Sequence, residues 1–424
     1  MRNLRRWVAL MGALVLVLAA CGDGDTAATD PTDGTDGTET TGVVGEGELD
    51  GVELQLMGFS SSPAEDEALT ALIEQFNTET GANATFNPVP DYDTTLQAAL
   101  AGGEPPDVFY VDSLRLPDLA AAGALQPVPE GAISDPDDIY PSLREAFTYE
   151  GTWYCPPKDF STLGLVYDPA VLEAAGVEVP TTWEELRSAA ETLTTEGQAG
   201  LVMGVEYPRW GVFMFQNGTA LTDEDVSQMT LDNPESIAAL EYIADLYQNE
   251  LAVSPTKVDA GWAGEAFGQG KAAMTIEGNW IAGAMDSEFP EKEWAVAPLP
   301  EGPAGPGTFA FTVCYGVAAN AANPDASWAL VEYLTNADGS LAWTNAFNVM
   351  PARASVRDQW LEGHPELAPF LEGADYAHPW QFVPQFGDVL GVFTENAQAI
   401  VDGGGSVDVL VEETTAAGED VLGG

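Results

Sequence analysis

The chain has 424 residues, 45% of them hydrophobic and 19% charged, with 13 basic against 68 acidic residues and a formal net charge of −55. A surface this acidic repels phosphate backbones and anionic headgroups, which excludes nucleic acid and a lipid surface as electrostatic partners. Two histidines and three cysteines leave little for a His-rich metal site or a Ser-His-Asp triad.

Arg2, Arg5 and Arg6 precede an uncharged apolar run from Val8 to Ala20. That run is too short to span a bilayer as a helix and suits the hydrophobic region of a signal peptide. It closes on Leu18-Ala19-Ala20-Cys21, which resembles the bacterial lipobox: small residues admit the peptidase, and the thiol accepts a diacylglyceryl group. Residues 1–20 read as a signal peptide and Cys21 as the lipidated residue. The alternative is an ordinary cleavable signal with an incidental cysteine. Residues 21–48 are rich in Gly, Thr, Asp and Glu, with too few apolar groups to build a core, so they read as a disordered spacer. No later stretch reaches about 18 consecutive apolar residues, and the lipid is the single membrane contact expected. The predicted location is the extracytoplasmic face of the cell membrane.

From Leu49 the composition becomes globular, and the roughly 375 remaining residues suit two lobes better than one core. Val52 to Leu56 alternates as a strand and leads into the polar loop Phe59-Ser60-Ser61-Ser62. Pro63 opens a helix whose apolar face is Leu69, Leu72, Ile73 and Phe76, and Gly81 ends it. Ala84 to Val89 predicts a strand, Tyr92 to Ala101 a helix and Asp107 to Val111 a third strand. This alternation predicts a parallel α/β sheet, in which ligands gather at the carboxyl ends of the strands, here Phe59-Ser60-Ser61 and Asp112-Ser113. A second α/β unit starts with the strand Leu163 to Tyr167. Thr182-Trp183-Glu184-Glu185 opens a helix with a capping-box-like start. A helix over Pro234 to Tyr247, strands over Ala272 to Ile276 and Phe309 to Val317, and a helix over Pro324 to Leu334 follow. The remainder reads as helical, broken by a Pro- and aromatic-rich stretch from His378 to Phe386. Cys155 and Cys314 both fall in strand-like sequence, and an oxidising exterior permits a bridge between them. Two separate buried thiols are the alternative.

Several landmarks resemble the family 1 extracellular solute-binding proteins of ABC importers. They are Tyr92 to Leu100 running into Pro106-Asp107-Val108-Phe109, Pro157-Lys158-Asp159-Phe160 before Val166-Tyr167-Asp168, and Pro180 to Leu186. Gly270-Lys271-Ala272-Ala273-Met274 before Glu277-Gly278-Asn279-Trp280, Ala297-Pro298-Leu299-Pro300 and Met350-Pro351-Ala352-Arg353 complete the set. Each is short, but they follow the family's order from about Leu49 to the end. The resemblance implies an α/β, two-lobed, type II periplasmic-binding-protein-like fold, each lobe a sheet flanked by helices. It implies crossings near Asp159–Leu163, Pro298 and Leu334. The N-terminal lobe is then 49–160 with 300–335, and the C-terminal lobe 161–299 with 336–424. The implied activity is capture of a mono- or oligosaccharide by hinge closure and delivery to the permease transmembrane subunits, by a monomer with no cofactor and no metal.

Sugar recognition needs flat aromatic faces for the apolar C–H face of a pyranose and carboxylates or amides for its hydroxyls. Among the 11 tryptophans, Trp280 is the first candidate, since Gly278 before it allows close backbone approach and the family places a stacking aromatic there. Trp262, between glycines, is the second and Trp210 the third, with core burial as the competing fate for each. Asp112, ending a strand, is a candidate hydroxyl acceptor or a turn cap. Phe59, Ser60 and Ser61 occupy the first strand-end loop, where the serines also suit helix capping. Arg353 offers a planar fork of donors, or else a structural pair with an acid. Asp159, Asn217 and Tyr315 complete the candidates.

Enzyme motifs are weak. There is no G-x-S-x-G, and Gly264…Gly270-Lys271 has the wrong spacing and lacks the Ser/Thr of a phosphate loop. The chain therefore reads as a binding protein and not an enzyme. A surface glycoside hydrolase with paired carboxylates is the alternative from another class. A receptor for another polar solute, a polyol or a phosphodiester, is the alternative within the binding class.

Overall fold

The computed structural model describes residues 47–60, 63–223, 226–380 and 382–423. The signal segment, Cys21, nearly all of the spacer and Ser61 lie outside the described residues.

The first lobe begins with β1 (Glu53–Gly58), whose alternating pattern buries Leu54 and Leu56. Helix α1 (Pro63–Thr80) packs Leu69, Ile73 and Phe76 into the same core, and Gly81 ends it in the left-handed conformation (φ 80°). β2 (Asn83–Pro88), α2 (Tyr92–Gly102) and β3 (Val108–Asp112) follow. β2 and β3 flank β1, both parallel to it, which requires the intervening helices as crossovers. Helices α3 (Leu116–Ala121) and α4 (Pro141–Ala146) and the hairpin of β4 (Thr148–Tyr149) and β5 (Thr152–Trp153) complete this stretch.

The lobes are joined by long strands. β6 (Pro157–Tyr167) is buried over nearly its whole length. Its first half pairs with β11 (Thr308–Val317), and from Leu163 onward it pairs with β9 (Ala272–Gly278), both antiparallel. One strand thus serves both sheets, and its change of partner falls between Thr162 and Leu163.

The second lobe follows with α5 (Pro169–Ala175), α6 (Trp183–Leu193), β7 (Ala199–Val202), α7 (Tyr207–Gln216), α8 (Pro234–Gln248) and β8 (Ala252–Val253). α6 starts as its sequence predicts. Thr182 accepts a hydrogen bond from the Glu185 amide, and the Glu185 carboxylate reaches back to the Thr181 amide at 2.9 Å. α9 (Ala263–Gly268), β9, α10 (Ile281–Glu288) and β10 (Ala295–Ala297) complete the insertion between the crossing strands. β7 is parallel to both β8 and β9.

The return crossing is β11 itself, which pairs with β6 at Ala310–Cys314 and with β3 at Val313–Val317. α11 (Pro324–Thr335) and α12 (Ala337–Phe347) belong to the first lobe: Trp343 and Val349 share a core with Phe76 and Leu54. The boundary expected at 335–336 falls between α11 and α12, and α12 packs against α1. The chain leaves the first lobe after α12. α13 (Arg357–Gly363) and α14 (Ala368–Glu372) pack behind the crossing strands, where Trp360 and Phe370 meet Phe160, Val166 and Ile281. A short strand, β12 (Ala377–Pro379), runs parallel to β11. α15 (Phe386–Val401) and α16 (Val407–Leu422) finish on the second-lobe core. Cys155 and Cys314 form a disulfide with Cα atoms 5.7 Å apart, clamping the first-lobe ends of β6 and β11 together. Among the described residues no helix is long and apolar enough to cross a membrane.

Candidate functional site

The carboxyl ends of the parallel strands open onto two cavities, one on each lobe. The first-lobe cavity, about 610 Å³, is lined by Phe59 after β1, Tyr92 and Asp93 at the start of α2, Asp112 and Arg115 after β3, and Trp380. Phe59 sits edge-on to Tyr92 and Tyr110, with ring centroids 5.8 and 5.2 Å away. Tyr92 donates its hydroxyl hydrogen to the Tyr110 carbonyl, which fixes its ring in the wall. Asp112 takes the Leu114 amide on one oxygen at 2.8 Å. Burial pushes its carboxyl up to about 6, against the lowering effects of that amide and of Arg115. Arg115 is itself paired with Asp93 at 2.5 Å.

The second-lobe cavity, about 370 Å³, lies at the ends of β7, β8 and β9 and is lined by Glu206, Arg209, Trp262, Glu277, Trp280 and Gln398 among others. Glu277 accepts from Arg209 at 2.7 Å and from the Trp280 indole at 3.0 Å. Arg209 also pairs with Glu206 at 3.2 Å and lies over the Trp280 ring, 5.5 Å from its centroid. Burial raises the Glu277 pKa despite Arg209. For Arg209 burial works the other way, and Glu277 and Glu206 outweigh it, so the guanidinium stays charged. Its Nε is buried without a partner. A Cβ at Gly278 would lie 2.2 Å from the Trp280 ring, and one at Gly264 2.1 Å from the Trp262 ring. Each glycine therefore makes room for a tryptophan to fold back over its own backbone. This differs from the expected role of Gly278, which does not line the cavity itself.

A row of rings links the two cavities. Trp280 meets Phe311 at 5.7 Å, and Phe311 meets Trp380 at 5.8 Å. Trp380 also packs on Tyr207 and Phe309 of the second lobe, so its ring closes the first-lobe cavity from across the cleft.

Of the residues predicted from sequence, Phe59, Asp112, Trp262 and Trp280 reach these walls. Others do not. Trp210 is fully buried, stacked on Tyr247, because it faces inward from α7. Tyr315 is enclosed in the first-lobe core against Tyr110. Asp159 is buried between Lys158, at 2.7 Å, and the Trp343 indole, at 2.8 Å. Lys158 also reaches Glu65 at 3.4 Å, so these charges form an internal network. The Arg353 fork, 2% exposed, is spent on the carbonyls of Thr335, Asp135 and Ser134. Ser60 donates to Asp66, as a residue flanking a helix start does. Asn217 is turned to the Glu235 carbonyl. Tyr92, Asp93, Arg115, Glu206, Arg209, Glu277 and Trp380 are among the wall residues that sequence reading missed. Glu277 and Trp380 at least carried a signal, one beside the Gly278–Trp280 landmark and the other inside the aromatic stretch that interrupts the C-terminal helices.

The fold and the paired cavities define a two-lobed solute receptor. The family model for bacterial extracellular solute-binding proteins matches residues 60–340, and the chain belongs to that family. The maltotriose-binding protein of Pyrococcus abyssi is 24% identical over 319 residues, 72% of this chain and 68% of that protein. Among solved structures, the GacH receptor of Streptomyces glaucescens, seen unliganded and with acarbose, is similar with a TM-score of 0.79 and 26% identity, covering 89% of this chain and 99% of that one. An ABC substrate-binding protein of Listeria monocytogenes in complex with cycloalternan has a TM-score of 0.80 at 21% identity, over 88% and 100% of the two chains. These relatives are binding proteins.

Proposed function

We propose that this chain is the substrate-binding lipoprotein of an ABC importer, taking a mono- or oligosaccharide into the inter-lobe cleft by hinge closure and delivering it to the permease. The observation that carries the reading is the composition of the cleft. Aromatic faces from both lobes, Phe59, Tyr92, Trp262, Trp280 and Trp380, alternate with the carboxylates of Asp112 and Glu206 and the guanidinium of Arg115. Flat rings suit the C–H faces of pyranoses, and fixed charged acceptors and donors suit hydroxyls in defined directions. The sugar-binding relatives, one with maltotriose, one with acarbose and one with cycloalternan, support the same reading. Lobe closure over the sugar buries both of its faces and commits it to transfer.

The test is a panel of neutral mono- and oligosaccharides, followed by thermal shift, calorimetry and product analysis on one sample. Stabilisation and stoichiometric binding without turnover are expected; release of cleaved sugar would replace the receptor with a hydrolase. The lipid on Cys21 and the acidic spacer to residue 48 confine the receptor to a thin shell above the membrane, which raises its effective concentration at the permease. Cys21→Ala is expected to move the protein from the membrane to the medium with sugar affinity unchanged. Retention of the variant at the membrane would remove the lipid from the reading.

A further inference from the structure

The strap between β12 and α15 belongs to the second lobe by its packing. His378 stacks on Phe215 of α7 at 3.8 Å, and Trp380, Phe382 and Phe386 enter the second-lobe core. Two of its backbone groups, the Trp380 carbonyl and the Gln385 amide, nevertheless bond to the first lobe. The buried Ser113 hydroxyl donates to the Trp380 carbonyl at 2.6 Å. The Gln385 amide donates to the Asp118 carboxylate at 3.0 Å. Ser113 follows β3 and Asp118 lies in α3, so both anchors sit on the same corner of the first lobe. Gln385 adopts the left-handed conformation (φ 68°), uncommon for a residue other than glycine, at the point where Asp118 holds it. A charged acceptor against a backbone amide is among the stronger neutral-to-ion hydrogen bonds, and the Trp380 carbonyl is left without this donor if the lobes part.

We infer that Ser113 and Asp118 form an inter-lobe latch on the strap, which holds the cleft shut over the first-lobe cavity and sets how long a bound sugar is retained. Neither side chain lines either cavity. Both flank residues that do, namely Asp112, Leu114 and Leu119. Their effect is therefore on the equilibrium between open and closed lobes, since neither touches the ligand and Ser113 holds Trp380 through its backbone carbonyl alone. A ligand that binds the closed form gains apparent affinity in proportion to the closed fraction, and the latch raises that fraction. The inference rests on the receptor reading for its kinetics, but its conformational part stands without a ligand.

The experiment is Ser113→Ala/Asp118→Ala in the full-length mature chain, with Ser113→Thr/Asp118→Asn as the variant that keeps a hydroxyl and a carbonyl acceptor. X-ray scattering without sugar should give a larger radius of gyration for the alanine pair. Stopped-flow tryptophan fluorescence should give sugar release roughly tenfold to hundredfold faster, with association little changed. The conservative pair should recover most of both. Unchanged scattering and release in the alanine pair would overturn the latch, as would a loss of melting temperature with neither effect. If the unaltered protein binds no sugar, the receptor reading fails while scattering still decides the latch.

Discussion

The role proposed for Asp112 sets stability against sugar binding, and Asp112→Asn makes that measurable. Burial raises this carboxyl from 3.8 to about 6, with the Leu114 amide and Arg115 opposing and Asp93 reinforcing. An acid whose pKa is higher folded than unfolded binds its proton more tightly in the native state. Its ionisation therefore costs native stability, and that cost grows as pH rises from about 4 to about 6 and is complete above it. At about 1.4 kcal/mol per pH unit, the rise corresponds to at most about 3 kcal/mol at pH 7.5. Asparagine is neutral at every pH and keeps an oxygen for the Leu114 amide at 2.8 Å. In urea unfolding, Asp112→Asn should therefore exceed the natural protein in stability at pH 7.5 by up to that amount, and the advantage should vanish near pH 4. Sugar affinity should move the other way, falling about tenfold at pH 7.5 as an ionised acceptor in the cavity wall is lost. A gain in stability that does not change with pH, or a variant less stable at pH 7.5, would refute the account of burial given for this carboxyl.

Two tryptophans that look alike in sequence should behave oppositely. Trp280→Ala should weaken sugar binding by at least about tenfold with a modest effect on unfolding, whereas Trp210→Ala should cost about 3–5 kcal/mol of stability by leaving a cavity in the second-lobe core, as read by denaturant titration. Equal losses of stability in both would undo the distinction between wall and core. The Cys155–Cys314 bridge spans a sequence separation of 159 residues, and loop-closure entropy for such a span gives about 5 kcal/mol. The Cys155→Ala/Cys314→Ala variant should accordingly unfold at much lower urea than the oxidised protein, while reducing agent leaves the folded protein intact for as long as the buried sulfurs stay covered. A cost below about 1 kcal/mol would mean that the unfolded chain gains little from release of the bridge.

Much of the scaffold is written locally. The alternation of Glu53 to Gly58, the apolar stripe of α1, Gly81 at its end and the capped start of α6 each depend on residues within a turn or two of one another. A reading of period and turn chemistry recovers them, and their strand–helix alternation predicts a parallel α/β sheet; the short landmarks from Tyr92 to Arg353, by their resemblance to a known family, are what pointed to two-lobed solute-binding proteins. The position of Phe59 and Asp112 on the cavity wall has a related cause: the carboxyl ends of parallel strands are where such folds expose side chains, and strand ends can be read from sequence.

The fates that depend on partners far along the chain were not legible. Trp210 and Trp280 both lie within two residues of a glycine and near strand or helix ends, yet one meets Tyr247 in a core and the other meets Glu277 and Phe311 at a wall. Arg353 resembles a ligand fork until the carbonyls of Ser134 and Asp135 occupy it from more than 200 residues away. α12 reads as the start of the second lobe, yet it packs on α1, more than 250 residues earlier in the chain. By itself the sequence determined the local elements and their alternation, because these rest on short-range periodicity and capping, and its landmarks carried the resemblance to two-lobed solute-binding proteins. The tertiary structure decided which aromatics face the cleft, which charges are sealed inside, that Cys155 meets Cys314, and that a strap from one lobe is held by the other. Burial and hydrogen-bond partnership are properties of the packed surfaces, and no residue carries them alone.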